Sequence, residues 1–312
     1  MSHHKHLGLH FSDNGRWSYH VNIVVAKASS RLHILRRLKF LLDRKSLEKL
    51  YVSFVRPVIE YADVVWDNIS NDLADKLEKI NIEAARIVSG ATKLVSLNDL
   101  YREVGWDTLH NRRQKHKLIK FHTMVHRSAP DYLSSLIPLR ISETHHYPTR
   151  RSHCITQRKS NTNHYSQSFL PSTTKLWNDL PISVQENPSV SNLKRVLNSN
   201  CCKTPRHFLF GKRTEQILHT RLRLNCSILN SHLSKKHIID NPNCACGQIE
   251  TTIHFLLECP LYTDARKKFI DPLRPVTLNI LLFGDPDRNY SYNTNIFKHV
   301  HHFISATKRF VT

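Results

Sequence analysis

Three cysteines and one histidine lie close together near the C-terminal end of the chain: Cys244-Ala245-Cys246-Gly247, then His254, then Cys259. Soft and borderline donors at such spacing suit a zinc ion, which takes four of them in a tetrahedron. Cys244 and Cys246 can reach one ion from a tight turn, and Gly247 gives that turn its backbone freedom. A short helix expected over 251–257 would bring His254, and Cys259 after it, to the other side. With all four positions filled by protein, such a site is structural and closed, holding together a small unit that lacks a large core. The alternative is that the thiols are small buried hydrophobes and His254 a satisfied core residue, since C-x-C is less specific than C-x-x-C. Cys154, Cys201, Cys202 and Cys226 suggest no partner, and seven cysteines, unevenly spread, fit a reducing compartment better than a disulfide framework.

No other set of residues composes a catalytic centre. Tyr61-Ala62-Asp63-Val64 comes near to the aromatic-Ala-Asp-Asp turn whose paired carboxylates hold two Mg²⁺ ions in polymerases, but the second carboxylate is replaced by Val64. Tyr61 is therefore expected in the core and Asp63 in solvent or in a local hydrogen bond. A Gly-rich phosphate loop and a Gly-x-Ser-x-Gly elbow are both missing from the sequence. His145-His146 and His301-His302 read as surface residues.

Charge narrows the partners. The 312 residues carry 46 Lys and Arg against 25 Asp and Glu, a formal +21, and the 22 His add to it as the pH falls. A field of this sign attracts phosphate backbones. No apolar run approaches the length of a membrane span and the first residues form no signal core, so the expectation is an intracellular protein, nuclear or cytoplasmic, without a membrane partner.

The elements that position these residues are mainly helical. Only 7 Gly argues against a sandwich or barrel. Residues 5–12 read as a short strand, with Leu7, Leu9 and Phe11 alternating. Residues 17–42 read as helix, with Ile23, Ala26, Leu32, Leu35 and Leu38 on one side. Helices follow at 46–66, kinked or restarted at Pro57, at 71–89, ended by Gly90, and at 96–103, capped by Ser96. The helix at 107–127 points Leu109, Leu118, Phe121, Met124 and Val125 inward and Arg112, Arg113, Lys115, Lys117 and Lys120 outward. Residues 138–168, rich in Ser, Thr, His and Asn, read as an irregular linker and domain boundary. Shorter helices are expected at 172–179, 189–200 and 212–230, then an apolar segment at 276–283 and a last helix at 292–310. The division is thus 1–137, linker 138–168, and a small α-rich domain at 169–312 carrying the cluster at 244–259.

The order of several segments resembles one family. Lys5-His6-Leu7-Gly8-Leu9 with Trp17 and His20 is similar to the stretch after the palm of a non-LTR retrotransposon reverse transcriptase. Arg56-Pro57-Val58-Ile59-Glu60-Tyr61 with Val65-Trp66-Asp67, and Ile82-Glu83-Ala84-Ala85-Arg86-Ile87-Val88-Ser89-Gly90-Ala91, resemble recurrent segments of jockey-like elements. His219-Thr220-Arg221-Leu222-Arg223 precedes the Cys/His cluster as in that family, and Phe255-Leu256-Leu257-Glu258-Cys259-Pro260 and Leu281-Leu282-Phe283-Gly284 complete the pattern. The resemblance implies a primer-grip strand at 5–12, a helical thumb-like region over about 17–130, and a knuckle whose ligands are Cys244, Cys246, His254 and Cys259. Fingers, palm and endonuclease have no counterpart here.

The function expected is therefore binding of RNA or DNA by a C-terminal part of an RNA-directed DNA polymerase, without catalysis of its own. The cations expected at phosphates are Arg31, Arg36, Arg37, Arg112, Arg113, Lys115, Lys117, Arg221 and Arg223, the alternative for each being a solvated helix face, with Phe255 or Tyr262 stacking on a base near the knuckle unless Phe255 fills the core. The alternatives are a polymerase subunit that works, with Mg²⁺, only when a separate palm is supplied, and a retroelement remnant without function.

Overall fold

Apolar residues at intervals of three and four dominate the sequence, and the structure is accordingly mainly helical. The computed structural model describes residues 3–144, 150–199 and 204–310. His145, His146, Cys201 and Cys202 lie outside the described residues. Among those described, the one sheet is a two-stranded antiparallel hairpin, β1 (His3–His6) with β2 (Leu9–Ser12), in which His6 faces Leu9 and His3 faces Ser12. The single strand expected over 5–12 is thus divided. Leu7 and Gly8 both take left-handed φ and form the turn, which removes Leu7 from the alternation.

Helix ends follow local chemistry. Ser96 accepts a hydrogen bond from the Asp99 N–H ahead of the Leu97–Val104 helix, and Thr108 accepts one from Asn111 ahead of Leu109–Val125. Each such cap is worth about 1 kcal/mol. The Asn71–Ser89 helix ends at Gly90, whose φ is +80° and whose absent Cβ would lie 2.6 Å from an Ile217 side-chain carbon, so only glycine fits. The Ser18–Leu38 helix buries Val21, Val24, Ala28, Leu32 and Leu35. Ile23 and Ala26, expected on that stripe, fall outside it because the stripe is anchored one position away. Pro57 sits in the first turn of a new helix, Arg56–Glu60, where its missing N–H costs nothing.

The chain forms two compact units, each assembled from three separate stretches. The first takes residues 1–30, 55–81 and 107–201. Its core joins Leu118 and Phe121 of the Leu109–Val125 helix to Ile155 and Trp177. Residues 138–168, expected as a boundary, lie inside this unit. Cys154 and Ile155 are buried, and the Asn178 side chain both accepts from the Ile155 N–H (3.0 Å) and donates to its C=O (2.9 Å).

The second unit takes residues 31–54, 82–106 and 202–312. Glu103 ties all three stretches together. Its carboxylate pairs with Arg44 at 2.6 Å and with Arg223 at 2.7 Å, and Thr220 donates to it at 3.3 Å. Arg44 also donates to the Glu103 carbonyl, and Arg223 lies over the Phe208 ring at 3.8 Å. Burial alone would raise the Glu103 carboxyl, but Arg223 and Arg44 hold it below the ordinary value. Glu103→Ala leaves two buried guanidiniums uncompensated, so urea unfolding should show a loss of about 3–5 kcal/mol. A full-stability variant would contradict this.

Several histidines are buried neutral. Burial lowers His20, His232 and His301 to about 4, and His219 well below its usual value. They therefore do not add to the positive charge when the pH first drops. Below about 6.5 the unfolded chain takes up protons that the native chain refuses, so stability is lost as the pH falls from about 6.5 toward 4. Thermal melts should shift steadily downward across that window, and a flat profile would refute the assignment.

Candidate metal centre and the placement of the cations

The Cys/His cluster is built by two pieces of backbone within the second unit. The first is a tight loop from Asn243 to Ile249, closed by a single antiparallel bridge. The Cys244 N–H donates to the Gln248 carbonyl at 2.7 Å, and the Gly247 N–H to the Cys244 carbonyl at 2.9 Å. Gly247 holds φ +89°, which lets the loop reverse directly after Cys246. The second piece is a wide helical turn, His254–Glu258, closed by the Cys259 N–H on the His254 carbonyl at 2.7 Å. That turn points His254 and Cys259 at the loop.

One donor atom from each of Cys244, Cys246, His254 and Cys259 lies within 4.8 Å of the other three. The Cys259 sulfur stands 3.7 Å from that of Cys244 and 3.9 Å from that of Cys246, and Cys246 stands 3.2 Å from His254 Nε2. A tetrahedral ion with metal–sulfur bonds of about 2.3 Å sets sulfurs about 3.8 Å apart. The cluster therefore has the shape of a four-coordinate metal site, and all three cysteines are free thiols. Burial, with Cys244 and Cys246 alongside, pushes Cys259 up to about 12, while the Gln248 N–H pulls Cys246 down. A cation among them removes the first penalty and keeps the second gain.

The residues that hold this centre in place carry no sequence signal. Glu250, next to the loop, accepts from Arg309 at 2.7 and 2.8 Å and from the Asn230 N–H at 2.6 Å. Arg266 is buried and donates to the carbonyls of Leu256 and Cys259. Phe255, expected as a stacking surface, is fully buried against Tyr262, Phe303 and Phe310, and Tyr262 is half-buried on it. Their edge-on packing fixes the His254 turn to the core, and Phe255 presents no face to a base.

The cations expected at phosphates have varied fates. Arg113 and Lys117 are buried on the two oxygens of Asp67, at 2.7 and 2.6 Å. Arg112 forms a forked pair with Glu60, and Lys115 binds Asp107 at 2.7 Å and Asn198 at 3.0 Å. Arg223 is buried on Glu103. These five serve the fold, because internal carboxylates sit opposite the helix faces that carry them. Arg31 donates to the Phe54 carbonyl, and Arg221 to that of Gly90. Arg36 makes an exposed pair with Glu83, and Arg37 is exposed. Exposed lysines that the sequence did not single out, Lys235, Lys236, Lys267 and Lys268, belong to the unit that carries the cluster.

The Tyr-Ala-Asp-Val segment is also placed otherwise than expected. Tyr61 is 55% exposed, its hydroxyl donating to the Leu7 carbonyl, whereas Asp63 is 3% exposed and bonded to His116 at 2.6 Å. Ala62 takes a left-handed φ, which swings the two side chains apart. No helix among the described residues is long and apolar enough to cross a membrane. No family model, curated protein or solved structure matches this chain.

A chelator should lower the melting temperature of the purified chain. Cys259→Ser should lower it too, and the chelator should then have no further effect. A variant as sensitive to chelator as the parent would remove Cys259 from the metal centre.

Proposed function

We propose that this chain binds nucleic acid and carries a structural zinc knuckle, as expected of a C-terminal part of a jockey-like non-LTR retrotransposon reverse transcriptase. The observation that carries the reading is the convergence of Cys244, Cys246, His254 and Cys259 at tetrahedral distances. Three thiolates and one imidazole favour zinc over Mg²⁺ or Ca²⁺, which take oxygen donors. The four positions match the ligand order of the family's knuckle, and the segments before and after them keep the family's order as well. Zinc here supplies a fixed corner between the loop and the His254 turn, and leaves no position for substrate.

The nucleic-acid reading rests on charge. After the internal pairs of Arg112, Arg113, Lys115, Lys117 and Arg223 are set aside, the chain still carries nearly all of its +21 surplus, and much of it must face solvent. Lys235, Lys236, Lys267 and Lys268 supply part of that field in the unit that carries the cluster, and Arg36 and Arg37 supply more. Binding arises from displacement of counterions, so it is steep in salt and weak in sequence preference.

Filter binding of a duplex should lose about three decades in affinity or more between 50 and 200 mM salt, as six or more phosphate contacts require. Affinity independent of salt would sink the reading. Elemental analysis should find about one zinc per chain. Primer extension with Mg²⁺ should give no product from the pure chain, since a two-metal centre needs paired carboxylates and Asp63 is engaged with His116.

A further inference from the structure

A second concentration of cations lies within the unit that carries the metal centre. A concave pocket of about 200 Å³ is lined by Lys39, Arg86, Lys93, Arg213 and Arg221, with Phe40 at its edge. One carboxylate lines it, Glu83, and that group is paired with Arg36 at 3.3 Å. Three other buried arginines differ. Arg44, Arg113 and Arg223 each meet a carboxylate, whereas the two best-fixed arginines here meet only backbone oxygens. Arg213 donates to the carbonyls of Lys39 (2.9 Å), Val88 (2.8 Å) and Ile87 (2.5 Å), and Arg221 to that of Gly90 (3.0 Å).

The Ile87, Val88 and Gly90 carbonyls close the C-terminal end of the Asn71–Ser89 helix, and that of Lys39 follows the Ser18–Leu38 helix, so helix capping accounts for Arg213 and Arg221. It does not account for the rest. Arg86 Nε is buried with no hydrogen-bond partner, an expensive state for a charged donor. Lys93 is exposed, and the Lys39 ammonium sits 4.6 Å over the ring of Phe40, itself 63% exposed. Burial, and the nearby Arg44, bring Arg213 down to about 10, with Asp43 opposing the shift, so the guanidinium stays charged at neutral pH. Five cations around a small concavity, one with an orphaned donor, fit a compact and doubly charged anion with several oxygens.

We propose that this pocket binds the terminal phosphomonoester of a nucleic-acid strand, with the end base resting on Phe40. A monoester offers three acceptor oxygens and close to two negative charges at neutral pH, whereas a backbone diester offers one charge. A strand end can enter a concave pocket that the convex wall of a duplex cannot. An exposed phenyl ring beside the phosphate site gives the last base a surface to stack on. The proposal rests on the nucleic-acid reading above and specifies which part of the polymer is recognised.

The test is fluorescence anisotropy on the full chain with one single-stranded oligonucleotide in three forms: 5′-phosphate, 3′-phosphate and hydroxyl at both ends. One phosphorylated form should bind roughly tenfold tighter than the hydroxyl form, the effect of one or two added charge-assisted hydrogen bonds. The form that gains identifies the end. The double variant Arg86→Gln, Lys93→Gln should lose that preference while binding the hydroxyl oligonucleotide nearly as before. Lys45→Gln, which removes an exposed cation outside the pocket, should retain the preference. Equal affinity for all three forms overturns the proposal, as does a preference that survives the double variant or is removed equally by Lys45→Gln. Failure to bind any oligonucleotide instead overturns the nucleic-acid reading itself, and binding without end preference leaves that reading standing.

Discussion

Glu103 is buried between two buried guanidiniums, and the second unit depends on that arrangement. The unit is assembled from stretches of chain that are far apart in sequence, and Arg44, Glu103 and Arg223 come from three different ones. Each ion carries a desolvation penalty of several kcal/mol, which is recovered only when all partners are in place. The triad therefore does less to raise stability than to reject wrong assemblies, because any arrangement that omits one member strands a charge in a low-dielectric core. Thr220 and Gln216 extend the constraint. Thr220 donates to Glu103, and Gln216 accepts from the Arg44 N–H while donating to the carbonyls of Leu209 and Gly211.

This use of cations recurs throughout the chain. In the first unit Asp67 holds Arg113 and Lys117, Glu60 holds Arg112 and Asp107 holds Lys115. With so few carboxylates available, many of those that are buried or half-buried organise basic side chains. Lysines and arginines that outnumber the acids are left exposed, among them Arg37, Lys93, Lys235, Lys236, Lys267 and Lys268, and they create the external field. A high positive charge and a well-packed fold coexist here because the two populations of cations are separate: one is held on carboxylates and backbone carbonyls, the other is left on the surface.

That separation explains what could be read from the sequence. The metal centre was legible because its four donors lie within one short stretch, and a loop and a single turn suffice to bring them together. The cap at Ser96 was legible for the same local reason. The roles of Arg112, Arg113, Lys115 and Lys117 were not. Helical spacing shows which residues share a face but not what packs opposite, and here the partners Glu60 and Asp67 lie more than forty residues upstream. Phe255 illustrates the same limit, since an aromatic residue beside a knuckle can stack on a base or fill a core, and only the neighbouring Phe303 and Phe310 decide. The hairpin at 3–12 was half legible, because the alternation was visible and the reversal at Leu7-Gly8 depends on two left-handed residues.

The metal centre and the Glu103 triad share a core. Phe255 and Leu256, one and two residues after the ligand His254, are buried in the same apolar cluster as Phe208 and Leu222. Phe208 is the ring over which Arg223 lies, and Leu222 is its neighbour in sequence. An ion that fixes the His254 turn therefore also fixes two side chains of the core on which the triad is built. Without the ion, Cys259 must remain a protonated thiol in a buried site, and the turn is held by its own backbone hydrogen bonds, by Arg266 and by the packing of Phe255. Since packed cores respond to displacements of a single methylene, loosening that turn weakens the seating of Arg223 against Glu103. Metal affinity and triad stability are thus two measurements of one cooperative unit, and a substitution at either place must register at the other.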